Sequence, residues 1–155
     1  MKRRVVVTGI GVVTSLGRAV ATFWERLVRG DSGVGPITLF DVSGFRVQFA
    51  GEVPWDPDRE NLGNSKEVRR LDRYAQFAIA ASADAVADSG LQFSGEDPYR
   101  CGVAIGSGIG GLWEFETQHE RLLTKGNDKV SAFFIPKLLL NTASGHVSTL
   151  FGLKG

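Results

Sequence analysis

The sequence predicts an α/β protein whose parallel or mixed sheet is covered by helices on both faces. Three observations carry this expectation. Short apolar runs rich in β-branched residues occur at residues 5–13 and 101–105. Stretches with apolar residues at helical spacing lie between and after them. Glycines sit where each helical pattern ends.

The elements follow in order. Residues 5–13 form a nearly continuous apolar run, suited to a strand buried on both faces. Gly9 and Gly11 within it predict a bend or a close backbone approach. Val20, Phe23, Trp24, Leu27 and Val28 are spaced i, i+3, i+4, i+7 and i+8, an amphipathic helix with Arg26 and Arg29 at its negative end and Gly30 as its stop. After a turn-rich stretch, Val47, Phe49, Gly51 and Val53 alternate with Arg46, Gln48, Ala50 and Glu52, the period of a half-exposed strand.

A long helix is expected over residues 66–88, with Tyr74, Phe77, Ala78, Ala81 and Ala85 on one face. Its small alanines permit close approach of a neighbour, and Gly90 ends it. Residues 101–105 read as a short buried strand leading into Gly106-Ser107-Gly108-Ile109-Gly110-Gly111. Leu112, Phe115, His119, Leu122 and Leu123 then share a helix face. Pro136 suits the first turn of a last helix, whose apolar face is Leu139, Leu140, Ala143, Val147 and Leu150 and whose stop is Gly152. Three strands are fewer than a helix-covered sheet normally holds, typically about five or six. The sheet is therefore expected to be incomplete within these 155 residues.

Composition removes several function classes. Hydrophobic residues make up 43% and charged residues 23%, ordinary for a globular domain. Lys+Arg is 18 against Asp+Glu 17, so the charge balance calls for neither nucleic acid nor a membrane surface. No apolar stretch approaches bilayer length. Lys2-Arg3-Arg4 before Val5-Val6-Val7, with Ala19-Val20-Ala21 downstream, mimics an export signal. Thr8, Gly9, Gly11, Thr14 and Ser15 break its apolar run, however, and Ala19 and Ala21 belong to a helix pattern. A single cysteine, Cys101, fits a reducing compartment, so a cytoplasmic location is expected.

The strongest chemical motif is strand–Gly106-x-Gly108-x-x-Gly111–helix, which has the local context of a dinucleotide fingerprint. That fingerprint also wants an acidic residue about 20 residues on, ending the next strand. Asp128 has the spacing but precedes an apolar run instead of ending one, which favours a glycine-rich crossover packed against another part of the fold. Cys101 opens an apolar strand, the setting of an inert packing cysteine. His119 and His146 read as a core residue and a structural hydrogen-bonding residue, and no metal spacing is present. Lys66, Arg69, Arg70 and Arg73 place positive charge at a helix start, against the macrodipole. They form either a solvated face or a dock for an acidic partner.

Taken together, residues 3–11, 49–51, 88–91, 104–111, 133–136 and 141–155 resemble the start of a β-ketoacyl-acyl-carrier-protein synthase, a condensing enzyme of the thiolase superfamily. The likeness runs through Phe133-Phe134-Ile135-Pro136, Asn141, Gly145-His146 and Gly152-Leu153-Lys154-Gly155, in order along the whole chain. It implies a thiolase-like fold, with residues 1–155 as the first part of the N-terminal domain and no C-terminal domain. It also implies a homodimer and no cofactor. The reaction would be acyl-chain elongation in fatty-acid biosynthesis by decarboxylative Claisen condensation, with acyl carrier protein as partner. The nucleophilic cysteine, two histidines and lysine would lie beyond Gly155, so these residues alone are expected to be inactive. Neither Cys101, His119 nor His146 matches a catalytic position.

The resemblance assigns other roles residue by residue. Ile109 matches the residue at the deep end of the acyl pocket, and Phe134 one that closes the pocket from across the dimer. Lys66, Arg69 and Arg70 match the carrier-protein dock, as does Lys129, although Asp128 stands where a basic residue is common. Two rivals remain: a chain-length-factor-like subunit without the nucleophile, and a dinucleotide-binding protein built on residues 106–111.

Overall fold

The computed structural model describes residues 4–56, 60 and 71–155. Its first helix, α1 (Val20–Arg29), ends at Gly30 with φ 78°. There the Gly30 and Asp31 amides donate to Leu27 and Arg26 carbonyls at 3.1 and 3.0 Å, closing orphan acceptors of the last turn. Arg29 Nη2 lies 2.5 Å from Asp31 Oδ2, and Arg26 Nε lies 3.3 Å from the same oxygen. The Arg29 hydrogen bond, opposed by partial desolvation and helped by Arg26, holds the Asp31 carboxyl below its usual range. Arg26 Nη1 also donates to the Leu16 carbonyl at 2.7 Å, fastening α1 to the Thr14–Gly17 turn. The expected apolar face is mostly uncovered: Trp24 is 61% and Val28 69% exposed.

The core lies between α2 (Arg73–Ser89) and α5 (Thr142–Phe151). Ile79 and Ala80 of α2 meet Val147 of α5, with Val13, Trp55, Val103, Ile105 and Phe151 packed around them. Gln76 is buried on the same face. It accepts the Trp55 indole N–H at 2.7 Å and donates to the Leu71 carbonyl at 2.9 Å, so its polar atoms are compensated.

Residues 9–11 run against α2 at backbone contact distance. A Cβ added at Gly11 would stand 1.9 Å from the Ala81 carbonyl oxygen, and one at Gly9 2.1 Å from that of Ala85. Two residues of extended chain advance about 6.7 Å, and four residues of helix about 6 Å. Successive small positions therefore meet in antiparallel order. The close approach expected from Gly9, Gly11 and the alanines is present.

Other expectations need correction. Neither residues 5–13 nor 101–105 form a paired strand; Val5 is 92% and Val7 83% exposed. A ladder needs a neighbouring strand on at least one edge, and no strand lies beside either segment among the described residues. The sheet described has two strands, β1 (Gly35–Pro36) and β2 (Phe49–Ala50), antiparallel with Gly35 opposite Ala50 and Pro36 opposite Phe49. Its phase departs from that expected around Phe49 to Glu52, while Val53 is half-buried and Arg46 and Gln48 are exposed as expected. Val47 and Phe49 face out, whereas Ala50 and Glu52 are half-buried. The Glu52 carboxylate accepts from the Thr38 hydroxyl and amide and the Leu39 amide at 2.7, 2.9 and 3.1 Å, which turns that side inward. The same bonds, led by the Thr38 hydroxyl, lower the Glu52 carboxyl below its ordinary value.

The described part of the long helix begins at Arg73, after Asp72 in an extended cap conformation; the expected residues 66–70 lie outside the described residues. The single last helix is in fact two, α4 (Phe134–Leu138) and α5, because Leu139 turns extended with ψ 133°. Pro136 falls in the first turn of α4, as its missing N–H allows. The Leu139 carbonyl freed by the break accepts from the Thr142 amide at 3.1 Å and from the Tyr74 hydroxyl. Burial pushes the Tyr74 phenol above its ordinary value, which keeps it a donor. No described helix is long and apolar enough to cross a membrane.

Candidate functional site: a glycine loop seated on a short helix

The loop at residues 106–111 leads into α3 (Leu112–Lys125), with Gly111 at the cap position. Gly111 donates its N–H to the Leu138 carbonyl of α4 at 3.1 Å, and Gly110 donates to Ser107 Oγ at 3.0 Å. A Cβ at Gly110 would stand 2.4 Å from the Leu138 oxygen, and one at Gly111 2.4 Å from the Lys137 oxygen. Two amides that a phosphate cradle would use are thus occupied within the chain. The crossover reading of the glycines fits this geometry.

Ile109, 63% exposed, rides at the tip of that loop, while Phe134 is half-buried at the start of α4. The Phe134 ring lies 6.2 Å from that of Phe115 on α3. Loop and short helix therefore belong to one assembly. Lys129 is exposed in a 3₁₀ turn (Asn127–Lys129) beyond α3, beside exposed Asp128. Lys66, Arg69 and Arg70 lie outside the described residues. Arg73, the last of the basic run, is turned inward: its Nη2 donates to the Val53 carbonyl at 3.0 Å and its guanidinium covers the Phe77 ring.

The face that α3 buries is not the one expected. Leu112, Phe115, Leu122 and Leu123 are exposed, whereas Glu114 and Gln118 are buried. His119 is exposed and stacks in parallel on Phe115, so its reading as a core residue is corrected. The cause is a polar network. Glu114 Oε2 lies 2.9 Å from Lys137 Nζ, and Glu114 Oε1 accepts from Gln118 Nε2 at 2.7 Å. Gln118 Oε1 in turn accepts the Ser131 amide at 2.8 Å. From the residue that caps α2, Asp72 Oδ2 accepts the Glu114 amide at 3.0 Å, supplying from outside the cap that Gly111 cannot.

Sequence reasoning missed Asp72, Glu114, Gln118 and Lys137. The signal for two of them was available, since Glu114 and Gln118 at i, i+4 share a helix face. Nothing in the spacing joined them to Lys137. The His146 side chain forms no hydrogen bond among the described residues and instead lines a cleft of about 370 Å³ with Pro136, Leu139 and Thr142. Cys101 is half-buried, and its carbonyl accepts the Gly155 amide at 3.0 Å.

Comparison with known proteins decides the family. Residues 2–155 match the β-ketoacyl synthase N-terminal domain. This chain belongs to the β-ketoacyl synthase family. The 3-oxoacyl-acyl-carrier-protein synthase 2 of Coxiella burnetii is 48% identical over 99% of this chain and 37% of its own length. That of Vibrio cholerae is 45% identical over the same shares. The chain therefore spans 37% of the length of these synthases. Among solved structures, the ishigamide ketosynthase/chain length factor superposes with a TM-score of 0.85 at 28% identity, covering 99% of this chain and 38% of the other. A β-ketoacyl synthase from Burkholderia phymatum gives 0.79 at 28% identity over the same shares.

Proposed function

We propose that a polypeptide of the relatives' length carrying this sequence is a 3-oxoacyl-acyl-carrier-protein synthase of fatty-acid elongation. The family match along residues 2–155, with synthase 2 relatives at 45–48% identity, carries the reading. In this reaction an acyl group is held as a thioester on a cysteine supplied beyond Gly155. Malonyl carrier protein loses CO₂, and the electron pair of the broken C–C bond attacks the acyl carbon. The C–S bond then breaks and returns the thiolate, leaving a 3-oxoacyl chain two carbons longer. Such a protein works as a homodimer in the cytoplasm.

Within that enzyme Ile109 forms the deep wall of the acyl pocket and Phe134 closes it from the partner. The seating of the Ile109 loop on α4 supports a fixed wall. Ile109→Phe is expected to reduce kcat/KM for long primers by at least about tenfold while sparing the shortest. An unchanged length profile would remove Ile109 from the pocket. Lys66, Arg69, Arg70 and Lys129 receive the acidic carrier protein; a solved type II polyketide ketosynthase holding an acyl-carrier protein shares the fold, with a TM-score of 0.74.

The second reading is a chain-length-factor-like subunit, favoured by the superposition on the ishigamide ketosynthase/chain length factor. A full-length protein that binds carrier protein yet releases no CO₂ from its malonyl thioester would establish it.

A further inference from the structure

We propose that Arg121 and Lys125 of α3, together with Lys129, form a second arm of the carrier-protein dock and make up for the negative charge that Asp128 brings to it. This rests on the synthase reading, with its acidic carrier protein as partner. Arg121 and Lys125 are one helical turn apart and share a face of α3. Both are exposed, and neither takes an ion pair among the described residues. Like charges at that spacing weaken a helix standing alone. Lys125, in the last turn, complements the macrodipole; Arg121 lies outside that turn, where the benefit has faded. An acidic partner would relieve the repulsion between them.

The backbone brings Lys129 to the same face. Glu114, Gln118, Arg121 and Lys125 are spaced i, i+4, i+7 and i+11, a single stripe of the helix. The first half of the stripe is buried, Glu114 against Lys137 and Gln118 against the Ser131 amide. The second half lies open beyond it. After Gly126 the chain turns back: Lys129 donates its amide to the Gly126 carbonyl at 3.2 Å, two residues before Ser131 reaches Gln118 at 2.8 Å. Lys129 therefore stands alongside the open half, and it too is exposed without an ion pair among the described residues. Glu116 and Glu120 lie about 140° round the helix, where they line a cleft with Phe40, Phe45 and Trp113. Three cations against Asp128 leave the strip positive. Such a strip speeds encounter with an acidic protein and fixes its orientation. Lys129 already belongs to the proposed dock, so the strip extends that surface.

The test uses the full-length protein carrying this sequence. It compares the KM for malonyl carrier protein with that for a malonyl thioester of a small thiol, which has no carrier to dock. The double variant Arg121→Glu, Lys125→Glu is expected to raise the first about tenfold and to leave the second and kcat unchanged. The rise should shrink as salt is brought to about 0.5 M, because screening weakens exposed charge pairs. Arg121→Gln with Lys125→Gln removes the charges without reversing them; it should move the carrier KM the same way by less, and it reports if the reversal fails to fold. Arg100→Glu, a reversal at an exposed position outside α3, is expected to leave the carrier KM as it was. An unaltered carrier KM in both double variants, an equal loss on the carrier-free thioester, or the same rise with Arg100→Glu would overturn the second arm. A folded wild type that condenses neither substrate would instead overturn the synthase reading on which it rests.

Discussion

Gly11→Ala is expected to destabilise the full-length protein by about 3 kcal/mol or more. The added methyl would stand 1.9 Å from the Ala81 carbonyl oxygen and 2.8 Å from the Ala85 nitrogen, both backbone atoms of α2. No rotamer change can relieve a backbone clash, so residues 9–11 would have to lift off the helix. That movement would also carry Val13 away from the core around Ile79 and Val147. Gly9→Ala belongs to the same class, with Ala85 oxygen at 2.1 Å. Gly108→Ala is the control: open space surrounds that position, and its cost should stay within about 0.5 kcal/mol. Chemical denaturation against wild type measures all three. A loss under about 1 kcal/mol for Gly11→Ala would mean that this segment does not lie on α2.

The 155 residues by themselves are expected to lack a cooperative unfolding transition and to bind a hydrophobic dye strongly. Their buried apolar core, among the described residues, is Ala75, Ile79, Ala80, Ala143 and Val147, three of them alanines with little surface to bury. Meanwhile Val5, Val7, Val28 and Leu123 are more than two-thirds exposed. The accessible surface is 11212 Å², where a compact chain of 16.7 kDa would expose about 7,600 Å². Apolar surface on this scale calls for a partner layer. A sharp, monomeric melting transition without dye binding would contradict this.

Much of the architecture was legible because helix periodicity and glycine stops are local signals. Val20 to Val28 gave α1, Gly30, Gly90 and Gly152 its end and those of α2 and α5, and Gly9 and Gly11 the approach to α2. The strands were less legible, because a paired strand is a property of two segments. Residues 5–13 have the composition of a central strand but no strand partner among the described residues. The break at Leu139 escaped notice because its apolar spacing is continuous from Pro136 to Leu150, and what stabilises it is distant: the Tyr74 hydroxyl.

The largest misreading, the facing of α3, has a definite physical origin. Periodicity assumes that the apolar side is the buried side. In α3 a network linking Asp72, Glu114, Gln118, Ser131 and Lys137 draws the polar side inward, and its bonded pairs lie up to 42 residues apart in sequence. Of the proposed site, Ile109 and Phe134 came from family likeness. The ties between their elements came from the geometry.

Condensation itself is the most direct test of the central claim. Full-length protein carrying this sequence would be given an acyl primer on acyl carrier protein together with malonyl carrier protein. The expected result is one CO₂ released per 3-oxoacyl product, with the product two carbons longer than the primer. Folded protein that releases no CO₂ and forms no extended chain, or that instead binds a nicotinamide dinucleotide saturably through residues 106–111, would contradict it.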